Sequence, residues 1–341
     1  MIGQVVGGYT VARRLRSGER GELFLAEHRR IDRRAAIKVL HPGVARTPED
    51  LDRYFHEART LAAVSHPGLV EVYDADVRDG RLYIVMELLE GESLAGVIER
   101  AESFASEPAT ALALASQIGG TLGAAHERGV AHGDLEPGNV FLELRRPPGE
   151  PGDDAVDQTQ AAGHVVVAKL LNFGLTSLAG GPAGAPGRTR LYAAPEQCAG
   201  AGAAGPRSDV YGLGCLLFHM LTGRPPFAAV EPAELRAAHL GAVAPAPSAM
   251  QPGIPAGIDA LVADMLAKDP ARRPESMDVV CARIAELLPA EPARSTKIPA
   301  SGAAVVVPPS DVQALHALPS QEIIESDPST ARAKTCTQFS L

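Results

Sequence analysis

The chain has 341 residues, 45% of them hydrophobic and 21% charged. That length predicts two lobes or domains with room for a tail, and the composition excludes a fibrous or wholly disordered chain. Its 32 basic and 41 acidic residues leave a net charge of −9. With no long basic run, that balance argues against nucleic acid as the main partner.

Residues 1–8 read as a short N-terminal extension without the basic stretch and apolar run of a signal peptide. Tyr9–Arg16 and Gly21–His28 alternate in polarity across a Gly-containing turn, which predicts a hairpin. Ala35–Leu40 is a third strand. Pro48–Val64 repeats its apolar residues (Leu51, Phe55, Ala58, Leu61, Ala62) with a helical period. Leu69–Val77 and Arg81–Leu88 predict two further strands around the turn Arg78-Asp79-Gly80. From Glu92 onward helical periods dominate, at Pro108–Arg128, Pro206–Thr222, Ile258–Ala267 and Glu275–Leu288. A small β-rich lobe, about residues 9–88, is thus followed by a larger α-rich lobe, about 89–288.

Two segments break the pattern. Residues 145–163 are rich in Pro, Gly and Asp and predict a surface insertion inside a hairpin. Residues 289–341 hold Pro, Ala, Ser and Thr without a sustained period, which predicts a disordered tail. Cysteines stand at 198, 215, 281 and 336 without CxxC spacing, as expected of reduced thiols in a cytoplasmic protein. The most apolar windows, Ala111–Ala125 and Val210–Leu221, are too short for a membrane span. Lysine occurs only at 38, 169, 268, 297 and 334.

Short motifs follow one another in a telling order. Leu15–Gly21 sits at a strand–turn–strand and is followed by Ala35-Ala36-Ile37-Lys38 and by Glu57 on the next helix. His132-Gly133-Asp134-Leu135-Glu136-Pro137-Gly138-Asn139 comes after the long helix, then Asn172-Phe173-Gly174 and Ala194-Pro195-Glu196. Tyr83–Glu87, Ser208–Gly214 and Asp269–Pro274 complete the set. This succession, over about residues 9–288, resembles the protein kinases of the bacterial eukaryote-like (Hanks-type) serine/threonine branch. The resemblance implies an α+β bilobal protein-kinase fold, ATP with Mg²⁺ or Mn²⁺ as cofactors, and a protein substrate or partner.

It also implies roles for single residues. Lys38 matches the lysine that holds the α- and β-phosphates, and Glu57 its helix partner. Met86 matches the guard of the adenine pocket, and Glu87 to Leu89 the backbone that meets the adenine edge. Gly18 and Gly21 retain part of the phosphate-covering loop, whose first glycine is Arg16 here. Asp134 matches the base that accepts the substrate proton, and Asn139 a metal ligand. Asp209 matches a brace of the catalytic loop, Glu196 and Arg273 a buried ion pair, and Thr189–Tyr192 a serine/threonine-type docking segment.

Three positions depart from the family pattern. Glu136 stands where the family has a lysine near the γ-phosphate. Like charges about 4 Å apart repel by roughly 4 kcal/mol at an effective dielectric of 20. Gly133 replaces an arginine that receives a phosphorylated activation loop. Asn172 replaces the aspartate that is the main Mg²⁺ ligand, and a neutral amide is a poor partner for a hard cation. Two readings follow: a pseudokinase that binds ATP as a signalling or scaffold module, which the departures favour, and an active serine/threonine kinase with unusual metal use.

Overall fold

The structure, a computed structural model, describes residues 1–18, 21–42, 47–101, 104, 107–145, 165–173, 191–200, 204–229, 231–288 and 305–306. The upper lobe is a six-stranded sheet of β1 (Val5–Val6), β2 (Tyr9–Gly18), β3 (Gly21–His28), β4 (Arg34–Leu40), β5 (Val72–Arg78) and β6 (Arg81–Met86), in the order β1-β2-β3-β4-β6-β5. All its pairings are antiparallel. Alternation gives the sheet two faces. Val11, Phe24, Ile37, Val39 and Val85 fill one. Leu40, Leu82 and Ile84 meet Tyr54 of helix α1 (Pro48–Ala62) on the other. Lys38 pairs with Ile84 and lies two residues from Leu40, so it belongs to the face that α1 covers.

Local chemistry explains the element ends. Thr47 caps α1 by accepting the Asp50 N–H at 3.2 Å, while Asp50 accepts the Thr47 N–H at 3.1 Å, and Pro48 occupies the first turn. The β5–β6 turn has Asp79 at φ 51° and Gly80 at φ 71°, the left-handed pair that a tight hairpin requires.

The lower lobe is built on α3 (Pro108–His126), α5 (Pro206–Thr222), α8 (Ala256–Met265) and α9 (Met277–Leu287), with α2 (Leu94–Ala101), α4 (Pro195–Ala199), α6 (Pro232–Gly241) and α7 (Pro247–Met250) around them. Tyr211, Leu213, Leu216, Leu217 and Leu221 of α5 are fully buried against Leu122, Leu261 and Met265. A four-stranded sheet, ordered β10-β9-β8-β7, lies beside α3 and comprises β7 (Gly91–Ser93), β8 (Val140–Arg145), β9 (Val165–Leu170) and β10 (Val305–Val306). The predicted insertion joins β8 to β9, and its residues 146–163 lie outside the described residues. The tail was expected to lack regular structure, yet Val305 and Val306 pair antiparallel with Val166 and Val165. Its other residues also lie outside the description. A parallel bridge between Leu69 and Leu170 links the segment before β5 to β9.

Candidate active site

Helix α5 carries Asp209 in its first turn, 1% exposed. Its Oδ2 accepts the His132 N–H at 2.8 Å and contacts His126 Nε2 at 2.7 Å, while Oδ1 accepts the Gly133 N–H at 2.8 Å. A buried carboxylate needs such donors to offset its lost hydration. Gln197 donates from Nε2 to the Gly133 carbonyl at 2.8 Å, so Gly133 is held on both sides. Its φ is 71°, where a side chain costs about 1–2 kcal/mol. Both histidines, His126 and His132, therefore have a defined partner in Asp209.

The same loop is tied to the strand that leads to residue 172. His132 Nδ1 accepts the Asp134 N–H at 3.2 Å, which leaves Nε2 to donate to the Leu171 carbonyl at 2.9 Å. The ring meets Phe173 edge-on at 4.6 Å. Asn139 Nδ2 donates to the Asp134 carbonyl at 2.7 Å, and the Asn139 N–H donates to the Glu136 carbonyl at 2.9 Å. Glu136 is half-buried and lines a groove with Ile98, Glu99, Pro137, Tyr192 and His219. Burial, then Cys215, then the charge of Glu136 push the Tyr192 phenol up.

Asn172 has φ 68°, a left-handed conformation that asparagine tolerates better than most residues. Its Oδ1 accepts from Lys38 Nζ, and its Nδ2 donates to Asn139 Oδ1 at 2.6 Å. Lys38, Asn172, Asn139 and the Asp134 backbone therefore form one continuous chain of hydrogen bonds. Both side-chain oxygens that the family would turn toward a metal already face N–H donors. Mg²⁺ requires near-ideal octahedral geometry and favours anionic oxygen, so Asn172 and Asn139 as arranged do not fit it. Among the described residues, no group of three or more His, Cys, Asp or Glu is disposed to hold a metal ion.

The remaining residues singled out in the upper lobe lie on β2, β3 and β6, on α1 and in the linker after β6. Gly18 pairs with Gly21, and Arg16 is exposed and pairs with Leu23. A Cβ on Gly21 would lie 2.2 Å from the Val39 carbonyl oxygen, so the approach of β4 by itself requires this glycine. Met86 pairs with Ala36 at the end of β6. The Glu87 N–H donates to the Glu71 carbonyl at 2.9 Å, so an adenine contact from Glu87 falls to its own carbonyl. Glu57 and Leu89 are half-buried. Gly174, Thr189 and Arg190 lie outside the described residues.

Glu196 and Arg273 meet as expected. The Arg273 guanidinium donates to both Glu196 oxygens at 2.8 Å and to the carbonyls of Ala267, Arg207 and Lys268. Ser208 Oγ adds a bond to Glu196 at 2.7 Å. Lys169 and Gln197 were not predicted as site residues. A lone lysine in the apolar run Val165–Leu170 is the signal that points to the first; nothing comparable marks the second.

Residues 9–283 match the family described as protein kinase domain. The serine/threonine-protein kinase Pkn1 of Myxococcus xanthus is 34% identical over 281 residues, covering 80% of this chain and 37% of the relative. The serine/threonine-protein kinase PknJ of Mycobacterium tuberculosis is 36% identical over 273 residues, covering 80% of this chain and 44% of the relative. This chain thus spans less than half of those relatives. The crystal structure of the Mycobacterium tuberculosis PknI kinase domain superposes with a TM-score of 0.63 at 28% identity, over 84% of this chain and 98% of that one. No helix among the described residues is long and apolar enough to cross a membrane. The chain belongs to the protein kinase domain family, in its bacterial serine/threonine branch.

Proposed function

We propose that this domain, which we bound at residues 9–288, binds ATP and is impaired in phosphoryl transfer, so that it acts on a protein partner as a signalling or scaffold module. One observation carries the reading: the Asn172 amide is bonded through its oxygen to Lys38 and through its nitrogen to Asn139 Oδ1. Phosphoryl transfer depends on positioning and on stabilising developing negative charge. Here the position of the main metal ligand is neutral, and Glu136 adds negative charge beside the γ-phosphate position. ATP, when bound, supplies the phosphoryl group and the adenine edge. Lys38 holds the phosphates, the Glu87 to Leu89 backbone meets the base, Gly18 and Gly21 let the roof approach, and Asp134 remains able to accept a proton.

The retained Asp134 and Asn139 favour the second reading, an active kinase in which Glu136 serves as metal anchor. Thermal shift of the purified chain with ATP, in EDTA and in Mg²⁺, separates the two. The expected result is a shift of similar size in both conditions that Lys38→Ala abolishes. A shift that appears only with Mg²⁺, accompanied by brisk transfer of labelled phosphate that Asp134→Asn stops, would establish the second reading.

A further inference from the structure

Lys169 is 3% exposed on β9, three residues before Asn172. Its ammonium donates to the Leu69 carbonyl at 3.0 Å and to Glu87 Oε1 at 2.5 Å. Glu87 Oε1 also accepts the Glu71 N–H at 2.8 Å, and the Glu87 N–H returns a bond to the Glu71 carbonyl. Beside this knot the Leu170 N–H donates to the Gly68 carbonyl at 2.8 Å. Three pieces of chain therefore meet at one cation: the segment before β5, the linker that follows Met86, and the strand that leads to Asn172.

Such a pair is a poor device for stability alone. A buried ion pair is often no better than apolar residues of the same size, because both charges lose hydration. The buried neighbours Val166, Ala168 and Leu170, each 1% exposed, are all apolar. What the pair adds is direction: Glu87 cannot shift along the linker without leaving the Lys169 ammonium with the Leu69 carbonyl but without this counter-charge.

We propose that Lys169 is a positioning residue for the nucleotide base. Through the Glu87 side chain it fixes the linker backbone and so sets a preference for adenine over guanine. The inference rests on the nucleotide-binding reading above. Adenine offers a donor at N6 and an acceptor at N1, whereas guanine offers an acceptor and a donor at the corresponding atoms. A fixed backbone carbonyl and N–H can match only one of these patterns, and a mismatch leaves polar groups unpaired.

The test uses the full chain with Lys169→Met, Lys169→Arg, Lys169→Met/Glu87→Gln and Lys38→Met. ATP and GTP affinities are measured by displacement of a fluorescent adenine nucleotide, together with melting temperatures. Lys169→Met is expected to weaken ATP about tenfold, equivalent to about 1.4 kcal/mol, and to leave GTP within about twofold. The double variant, which removes both charges, should lose no more than the single one and carries the test should the single variant not fold. Lys169→Arg should recover the preference. A lower melting temperature with an unchanged ATP-to-GTP ratio overturns the proposal and gives Lys169 a purely structural role. ATP affinity unaffected by Lys38→Met, or no ATP binding at all, overturns the nucleotide-binding reading and this inference with it.

Discussion

Asn172 donates an amide hydrogen to Asn139 Oδ1 at 2.6 Å, and its oxygen accepts from Lys38. An aspartate at 172 could accept from Lys38 but could give nothing to Asn139. The substitution thus changes the bonding of the retained residue as well as its own charge, and the two amides and the lysine satisfy one another without an added cation.

Restoring Asn172→Asp frees Asn139 Oδ1 and returns an anion. Restoring Glu136→Lys removes the repulsion at the phosphate. Both act on the same phosphate–metal unit, so their effects should not add. Neither single change is expected to give much transfer, whereas the double change should give autophosphorylation measurable with labelled ATP. Adding Asp134→Asn should abolish that gain.

Glu196 and Arg273 should be costly to separate. Arg273→Met leaves Glu196 half-buried without its cation, and Glu196→Ala strands a buried guanidinium. Breaking one side of such a pair costs about 3–5 kcal/mol, read as a shift in the denaturant midpoint at constant slope. A loss below about 1 kcal/mol would place this pair among surface bridges instead.

Stability should fall with acid over two pH ranges, one set by His239 and a lower one set by Glu196. Burial, and then the Lys268 charge, lower His239 from 6.5 to about 4. The unfolded chain therefore takes up this proton first, and stability is lost as pH falls from 6.5 toward 4. For Glu196, burial raises the carboxyl, but bonds from Arg273 and Ser208 outweigh it and the net shift is downward from 4.5. Its contribution is present above 4.5 and is lost as pH falls through the lowered value. His239→Gln should flatten the upper part of the profile, and Glu196→Gln the lower part.

Gly133 has φ 71°, so Gly133→Ala should cost about 1–2 kcal/mol of stability even though the added methyl group is small. Gly133→Arg should lose at least as much, since Gly133 is buried and a long charged side chain adds to the backbone penalty. Equal denaturation midpoints for Gly133→Ala and the parent would show that the loop can shift to relieve it.

A chain ending at Leu288 should melt as the full chain does. Two residues of β10 pair with β9, and that pairing offsets little of an ordering entropy of about 1–2 kcal/mol per residue. A clear fall in melting temperature on truncation would assign the tail a part in the fold.

Much of the fold was legible because its punctuation is local. Helix α5 begins at Pro206 and ends before Gly223 at φ 75°, so its bounds could be read from the sequence. The Asp79-Gly80 turn likewise announced a hairpin. Strand β7 has only three residues and runs directly into α2, so neither periodicity could be seen. The positions of Lys38, Asp134, Asn139 and Asn172 were legible from motif order. Their bonding was not, because which atom of an amide meets which neighbour depends on distant backbone. Lys169 and Glu87 are separated by 82 residues, and no spacing rule pairs them.

Asp209 fixes the backbone at His132 and Gly133 from a helix buried in the lower lobe. The ordering of that loop is therefore completed when the chain folds and does not wait for a nucleotide.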